Sequence, residues 1–201
     1  MKNALVSALL ALACTAAFAQ APAASPPQRL RGSVESFDGS TMVVKERSGE
    51  VMRLVLADNF SVSEVLPIAL SSIETGSFIG TAAVTDAQGN LRALEVLLFP
   101  EAARGTGEGH GPWDLQPGST MPNATVAEVV VGASGRTLKL RYKDGEKTVV
   151  VPEGIPIVTL KPGDRSLLVP GAKVLVTAQT RDGKPTALRA AVGRNGFTPP
   201  M

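Results

Sequence analysis

Thiols, imidazoles and aromatic rings are scarce in this 201-residue chain, which has one cysteine, one histidine, one tryptophan, one tyrosine and six phenylalanines. The cysteine, Cys14, lies in an apolar leader, so the chain that follows the leader has no thiol. This excludes disulfide frameworks, thiolate catalysis, zinc–thiolate sites and iron–sulfur clusters from that part of the protein. Its stability must therefore come from its hydrophobic core alone.

An excess of charge of one sign is also lacking, because the formal net charge is +2 and acids and bases are interspersed. The densest basic stretch, from Lys139 to Lys147, has the period-2 spacing of a solvated strand face. A single-strand nucleic-acid groove would need far more charge and several stacking aromatic residues. We predict that nucleic acid is not a partner.

The shortage of histidine bears on catalysis. A serine or threonine nucleophile needs a base, and the one candidate, His110, lies in a glycine-flanked loop with nothing to orient it. Ser119 and Thr120 lie nearby, but after Pro117-Gly118 they are typical of turn formers. Paired carboxylates for glycoside hydrolysis depend on a three-dimensional separation, and the aromatic platforms usual in sugar clefts are few. We predict that the protein is not an enzyme.

Residues 1–19 have the features of a secretory signal peptide. Lys2 supplies the positive end, the run from Ala4 to Cys14 is apolar, and Ala17-Phe18-Ala19 is a small-x-small cleavage pattern. Cleavage after Ala19 predicts a periplasmic protein, and no later run is long and apolar enough to span a bilayer. Lipidation at Cys14 is the less favoured alternative, because the better cleavage site follows it.

Two stretches of the remaining chain, 30–99 and 123–193, share the same order of strands, glycine turns and hairpins. Each is roughly seventy residues long, and the offset between them drifts by only a few residues, as loop insertions would cause. We predict a duplicated small domain. The corresponding segments are Arg31–Ser36 with Ala124–Val129, Ser48–Val51 with Asp144–Lys147, and Gly89–Leu94 with Gly183–Leu188.

Short alternating strands bounded by Asp-Gly and Ser-Gly turns predict an all-β fold. Five or so strands per repeat favour two tandem small barrels resembling the oligonucleotide/oligosaccharide-binding type, with a flat sandwich as the alternative. Asn59 to Glu74 has near-helical apolar spacing interrupted by a proline, so we predict short helical turns or irregular chain there. A Pro/Ala linker (20–29) and a tail (194–201) flank the repeats.

The segment between the repeats, 100–122, is a Gly/Pro-rich stretch that we predict to be an irregular linker. Its Trp113 is expected to bury its ring in a groove between the two barrels. The alternative is a ligand or metal site built from His110, Asp114 and Met121, with Glu108 as a further ligand. Imidazole and thioether ligands together would favour copper, especially Cu(I).

This segment also carries a resemblance. The stretches His110–Leu115, Pro117–Met121 and Asn123–Val126, with Lys143–Lys147 and Leu168–Ala172 further on, resemble a group of exported proteobacterial proteins of unknown function. The resemblance implies two copies of a small all-β domain. Some members are labelled metal transporter permeases; this chain departs from that label because it lacks membrane spans, and only a connection to metals stays open.

Together these observations predict an exported, non-enzymatic binding or interaction module. Its partner is an unknown protein or small ligand in the periplasm, and the contact residues are His110, Trp113 and Asp114. The alternative is a periplasmic copper-handling protein that binds the metal through His110 and Met121. If the protein does not bind copper, we predict no cofactor.

Overall fold

A computed structural model describes residues 25–87, 89–133 and 135–200. Within those ranges the chain has fourteen strands, four short 3-10 turns and no α-helix. The predicted signal peptide, Cys14 and the start of the Pro/Ala linker lie outside the described residues. The strands are β1 (Gln28–Phe37), β2 (Thr41–Glu46), β3 (Val51–Pro67), β4 (Phe78–Gly80), β5 (Ala83–Thr85), β6 (Leu91–Ala93), β7 (Val96–Leu98), β8 (Gly109–Pro112), β9 (Thr120–Gly132), β10 (Gly135–Tyr142), β11 (Gly145–Pro152), β12 (Ile157–Gly163), β13 (Lys173–Arg181) and β14 (Lys184–Gly193). The 3-10 turns are Leu70–Ser72, Glu101–Ala103, Arg165–Leu167 and Arg194–Gly196.

Five strands close into a barrel in the order β1–β2–β3–β14–β13, and β13 pairs back with β1. Only the β3–β14 pair is parallel. Because successive side chains on a strand point to opposite faces, one set fills the barrel and the other forms its outer wall. The prediction of an all-β chain with a small closed barrel is confirmed. The barrel core consists of Leu30, Val34, Met42, Val44, Leu54, Phe60, Val62, Leu168, Val174, Val176, Ala178, Ala187, Ala190 and Val192.

The turn between β1 and β2 shows how the local sequence shapes this barrel. Gly39 has φ 97°, which favours glycine because it has no Cβ. The carboxylate of Asp38 accepts hydrogen bonds from the N–H groups of Ser40, at 2.9 Å, and Thr41, at 2.7 Å. These bonds, that of Ser40 first, lower the pKa of Asp38. The Asp-Gly sequence therefore fixes the tight hairpin that the sequence analysis predicts.

The closed barrel does not coincide with the predicted repeat boundaries. Its first three strands come from the repeat predicted at 30–99, but its last two, β13 and β14, come from the repeat at 123–193. The hairpins predicted to end the first repeat pair instead with β9 and β11. The predicted tandem arrangement, one barrel for each repeat, is therefore not confirmed. The local turn pattern specifies hairpins but not the strands against which each hairpin packs.

A second set of strands surrounds a second core. It runs β9–β10–β11–β6–β5, and β5 meets β9 again through the single pair Ala83 and Thr120. As in the closed barrel, one pairing in this set, β11 with β6, is parallel. The second core consists of Ile73, Ile79, Ala83, Leu91, Ala93, Val96, Ala124, Val126, Leu138, Leu140, Val149, Val151 and Ile157.

Two strands join the barrel to the second set. The second half of β3 pairs antiparallel with β12, and β12 pairs in parallel with β7. Phe60 and Val62 face the barrel core, whereas Val65 belongs to a third cluster with Leu97 and Val158. Burial of both faces of β3 removes the alternation expected of a strand. This corrects the prediction of helical or irregular chain at 59–74, which holds only for residues 68–74, after the strand.

A charged cluster holds Arg194, near the end of the chain, against the second half of β3. Glu64 on β3 is 1% exposed and accepts hydrogen bonds from Arg194, at 2.5 and 3.0 Å, while Lys161 lies 3.0 Å away. The side chains of Arg194 and Lys161 are half exposed, so the carboxylate lies just beneath the surface. The bonds from Arg194 are the main reason that the pKa of Glu64 falls to about 2. The predicted tail thus begins with a residue fixed to the fold.

The predicted irregular linker, 100–122, is partly strand. Its β8 (Gly109–Pro112) pairs antiparallel with the start of β9, which begins at Thr120, three residues before the predicted repeat. The linker therefore adds a strand beside β9. The turn between β8 and β9 projects Trp113 and Asp114 toward the closed barrel.

Candidate ligand site

The outer wall of the closed barrel carries a row of four polar side chains on four neighbouring strands. Arg29 on β1 lies opposite Thr177 on β13, Thr177 lies opposite Arg189 on β14, and Arg189 lies opposite Ser61 on β3. We call these four residues the polar row. Directly opposed residues in a sheet share a face, so all four point away from the barrel core. The row alternates guanidinium and hydroxyl groups.

A groove of about 530 Å³ runs along this row. Besides the polar row it is lined by Pro27, Asn59 and Leu188, so its lining has two cations and no acid. The Nε–H of Arg189 donates a hydrogen bond to the hydroxyl of Thr177 at 3.1 Å, which draws the guanidinium toward β13 and therefore toward Arg29. The volume lies within the usual range for small-molecule sites.

The Trp113 turn packs against β1 at Arg29, one of the groove residues. The guanidinium of Arg29 lies 3.8 Å above the centre of the Trp113 ring, within the range of a cation–π contact. Asp114 pairs with Arg31 at 2.7 Å and with Arg29 at 3.4 Å. Partial burial raises the pKa of Asp114, but the two arginines outweigh it and leave that pKa below its usual value. Asp114 is therefore a carboxylate that anchors the turn to β1.

Ser119 sets the shape of the turn. Its hydroxyl bonds to the carbonyl oxygens of Trp113, at 3.0 Å, and Gln116, at 2.7 Å, and its own carbonyl accepts the N–H of Trp113 at 2.9 Å. The serine is 3% exposed and fully engaged in the turn. This geometry agrees with its prediction as a turn former.

Glu95 lies at the bend between β6 and β7. Its side chain is 1% exposed, and neither carboxylate oxygen makes a hydrogen bond of normal geometry in the described chain, although the N–H of Ala82 lies near enough to act on its charge. Burial raises the pKa of Glu95 to about 7, while the N–H of Ala82 and the charge of Arg31 act in the opposite direction. Arg31, which forms the shorter ion pair with Asp114, thus also acts on Glu95 through its charge.

The four predicted metal ligands do not come together. His110 lies opposite Pro122 and Met121 lies opposite Gly111 in the β8–β9 ladder, so the two side chains point to opposite faces of the ribbon. Asp114 is held by the two arginines, and the Glu108 carboxylate accepts the N–H of Lys143 at 3.1 Å. No cluster of three His, Cys, Asp or Glu side chains in the described ranges could hold a metal.

His110, predicted as a contact residue, is exposed on β8, with its ring 6.5 Å from that of Tyr142. Partial burial and the nearby Lys147 lower its pKa. The structure thus brings Trp113 and Asp114 to the groove region through Arg29, whereas His110 is not among the residues that line the groove.

Sequence reasoning missed most of the polar row. Arg29 falls at the end of the predicted Pro/Ala linker, although the structure places it in β1, and Ser61 falls in the segment predicted as helical or irregular. Thr177 and Arg189 have the pattern of ordinary solvated strand positions. What the four residues share is their alignment across neighbouring strands. That alignment brings together positions as far apart in the sequence as Arg29 and Arg189, which are 160 residues apart. A hairpin prediction within each repeat could not place them together.

No family model matches the chain, and no curated protein and no solved structure is significantly similar to it. The class of protein is therefore defined by the fold and the groove: an all-β protein built around a closed five-stranded barrel with a polar groove on its wall. In the described part of the chain, no helix has the length and apolar character needed to cross a membrane.

Proposed function

We propose that this protein is an exported, non-enzymatic binding module that contacts its ligand in the groove on the outer wall of the closed barrel. The observation that carries the proposal is the groove itself, about 530 Å³ in volume and lined by side chains from β1, β3, β13 and β14. A closed ring of backbone pairing makes a rigid platform, and binding sites on such elements are more precise than sites on loops.

The chemistry of the lining supports binding rather than catalysis. The groove residues include two hydroxyl groups, Ser61 and Thr177, but no histidine, carboxylate or lysine that could act as their base. The Thr177 hydroxyl already accepts a bond from Arg189. Export remains a proposal based on the signal-peptide pattern of residues 1–19.

We also infer that the fold is a duplicated barrel with exchanged hairpins. Counted with β13 and β14 as fourth and fifth strands, the barrel order 1-2-3-5-4 is that of the predicted oligonucleotide/oligosaccharide-binding type. The second set has the same succession: β9–β10–β11, then β6, then β5. In both sets the third strand and the last strand of the exchanged hairpin are parallel, which supports a common origin.

The test fills the groove and leaves the rest of the wall unchanged. Ser61→Trp places a large ring in the groove, and Ser36→Trp, an exposed serine on β1 that does not line the groove, is the matched control. The ¹⁵N-labelled protein is titrated with a panel of amino acids, sugars, carboxylates and phosphate esters. We expect at least one compound to shift the amides of Ser61 and Thr177, and Ser61→Trp alone to abolish the shift. A panel that leaves these amides unmoved, or shifts that survive Ser61→Trp, contradicts the proposed site.

A further inference from the structure

We propose that the groove binds a small molecule through an oxyanion, a phosphate or carboxylate group, held between Arg29 and Arg189 above Thr177. This inference rests on the proposed function and names the chemical class of its ligand. It follows from the alignment of the polar row across four strands, from the hydrogen bonds that its members make, and from the N–H and O–H donors among them that have no partner.

The two arginines line the same groove from the strands on either side of β13. β1 and β14 are separated only by β13, so the backbones of Arg29 and Arg189 lie about 10 Å apart. An arginine side chain spans more than half of that distance, and the bond from Arg189 Nε to Thr177 directs the Arg189 fork toward the middle of the gap. An anion above Thr177 can therefore be reached from both sides.

The terminal nitrogens of Arg189 have no hydrogen bond or ion pair with any part of the chain that the structure describes. Arg189 is exposed, and both terminal NH2 groups, with four N–H donors between them, are left to bind two oxygens of one anion in parallel. Thr177, between the two arginines, adds a hydroxyl whose proton is free to donate to the same anion. The pattern of two guanidinium forks and an intervening hydroxyl suits a tetrahedral or planar oxyanion better than a neutral ligand.

Asp114 does not neutralise the groove. Its shorter contact, 2.7 Å, is with Arg31, which is not among the groove residues, and its 3.4 Å contact with Arg29 is long for a charged pair. The Trp113 ring beneath Arg29 holds the guanidinium without consuming its charge. The groove thus keeps two cationic side chains, and no acidic residue lines it.

The experiment measures dissociation constants by NMR for three probes: inorganic phosphate, succinate and a neutral hexose. Arg189→Gln removes the charge, Arg189→Lys keeps it without the fork, and Arg181→Gln, at an exposed arginine outside the groove, is the matched control. Thermal unfolding of each variant verifies that it is folded. Charge-assisted hydrogen bonds predict that Arg189→Gln weakens phosphate or succinate binding about tenfold or more, and that Arg189→Lys weakens it less.

Stronger binding of phosphate than of succinate identifies a phosphate ligand, and the reverse identifies a carboxylate; either supports the proposal if Arg181→Gln has no effect. Equal losses in Arg189→Gln and Arg181→Gln show nonspecific attraction and overturn it. If the hexose or another neutral compound shifts the groove amides and neither anion does, the oxyanion proposal fails and the binding groove survives. If no compound shifts those amides, both fail.

Discussion

The buried carboxylate of Glu95 makes the stability of this protein depend on pH in a way that one substitution can isolate. In the folded chain burial raises the pKa of Glu95 from 4.5 to about 7. Folding therefore favours the protonated acid. Glu95 does not oppose folding below pH 4.5, opposes it increasingly between pH 4.5 and 7, and opposes it by a constant amount above pH 7.

The size of the effect follows from the same pKa values. The difference between 4.5 and about 7 corresponds to about 3 kcal/mol of folding free energy above pH 7. Glu95→Gln has nearly the same shape and carries no charge, so it removes this cost. We expect the variant to be more stable than the wild-type protein by up to about 3 kcal/mol at pH 8 and by almost nothing at pH 4.

Urea denaturation at intervals from pH 4 to pH 8 measures this difference. Glu35→Gln, at an exposed position on β1, is the matched control and should not reproduce the trend. A stability difference between Glu95→Gln and wild type that does not change with pH would refute the argument, because it would show that the ionisation of Glu95 is not coupled to folding. Destabilisation at every pH would show that the carboxylate has an essential partner.

Three further outcomes test the fold. The pKa of Glu64 is lowered mainly by its bonds with Arg194, so the carboxylate stabilises the fold above pH 4.5 and this stabilisation is lost as pH falls toward about 2. In acid-unfolding curves, Glu64→Gln should not show this loss. Val149 is fully buried whereas Val130 is 52% exposed, so Val149→Asp should prevent cooperative thermal unfolding and Val130→Asp should leave it nearly unchanged. The inferred exchange of hairpins predicts that fragments 25–106 and 107–200 do not form stable monomers when separate but join as a one-to-one complex, which light scattering measures. A fragment that folds cooperatively on its own would contradict the exchange.

The two valine runs show how far sequence patterns reach. Val129–Val131 and Val149–Val151 are equally apolar, and both are paired strands as their β-branched composition predicts. The first run ends in the exposed tip of the β9–β10 hairpin, whereas Val149 and Val151 of the second run face the core. Position along a hairpin, rather than composition, decides burial, and the sequence alone does not state how far the core extends.

Strands and turns could be predicted because they depend on local signals, such as Asp38-Gly39 and the alternation in β2. A small closed barrel could be predicted as a type, from the number and length of the strands, but not which strands form it. The pairing of β13 and β14 with β1 and β3 could not be predicted, because it joins segments more than a hundred residues apart and leaves no local signal. Glu95 did leave a usable signal: it is an acid within an otherwise apolar run, Leu94 to Phe99. An acid in such a run marks either a surface turn or a buried, perturbed carboxylate.

The inter-repeat segment and the barrel wall bear on binding through one shared side chain, Arg29. Contacts with Trp113 and Asp114 hold its guanidinium, while its backbone belongs to the rigid barrel and its side chain lines the groove. A guanidinium fixed before binding loses less conformational entropy when it engages an anion than a free one does. Trp113, which the sequence singles out, does not line the groove but orients Arg29, the residue that would face the proposed ligand.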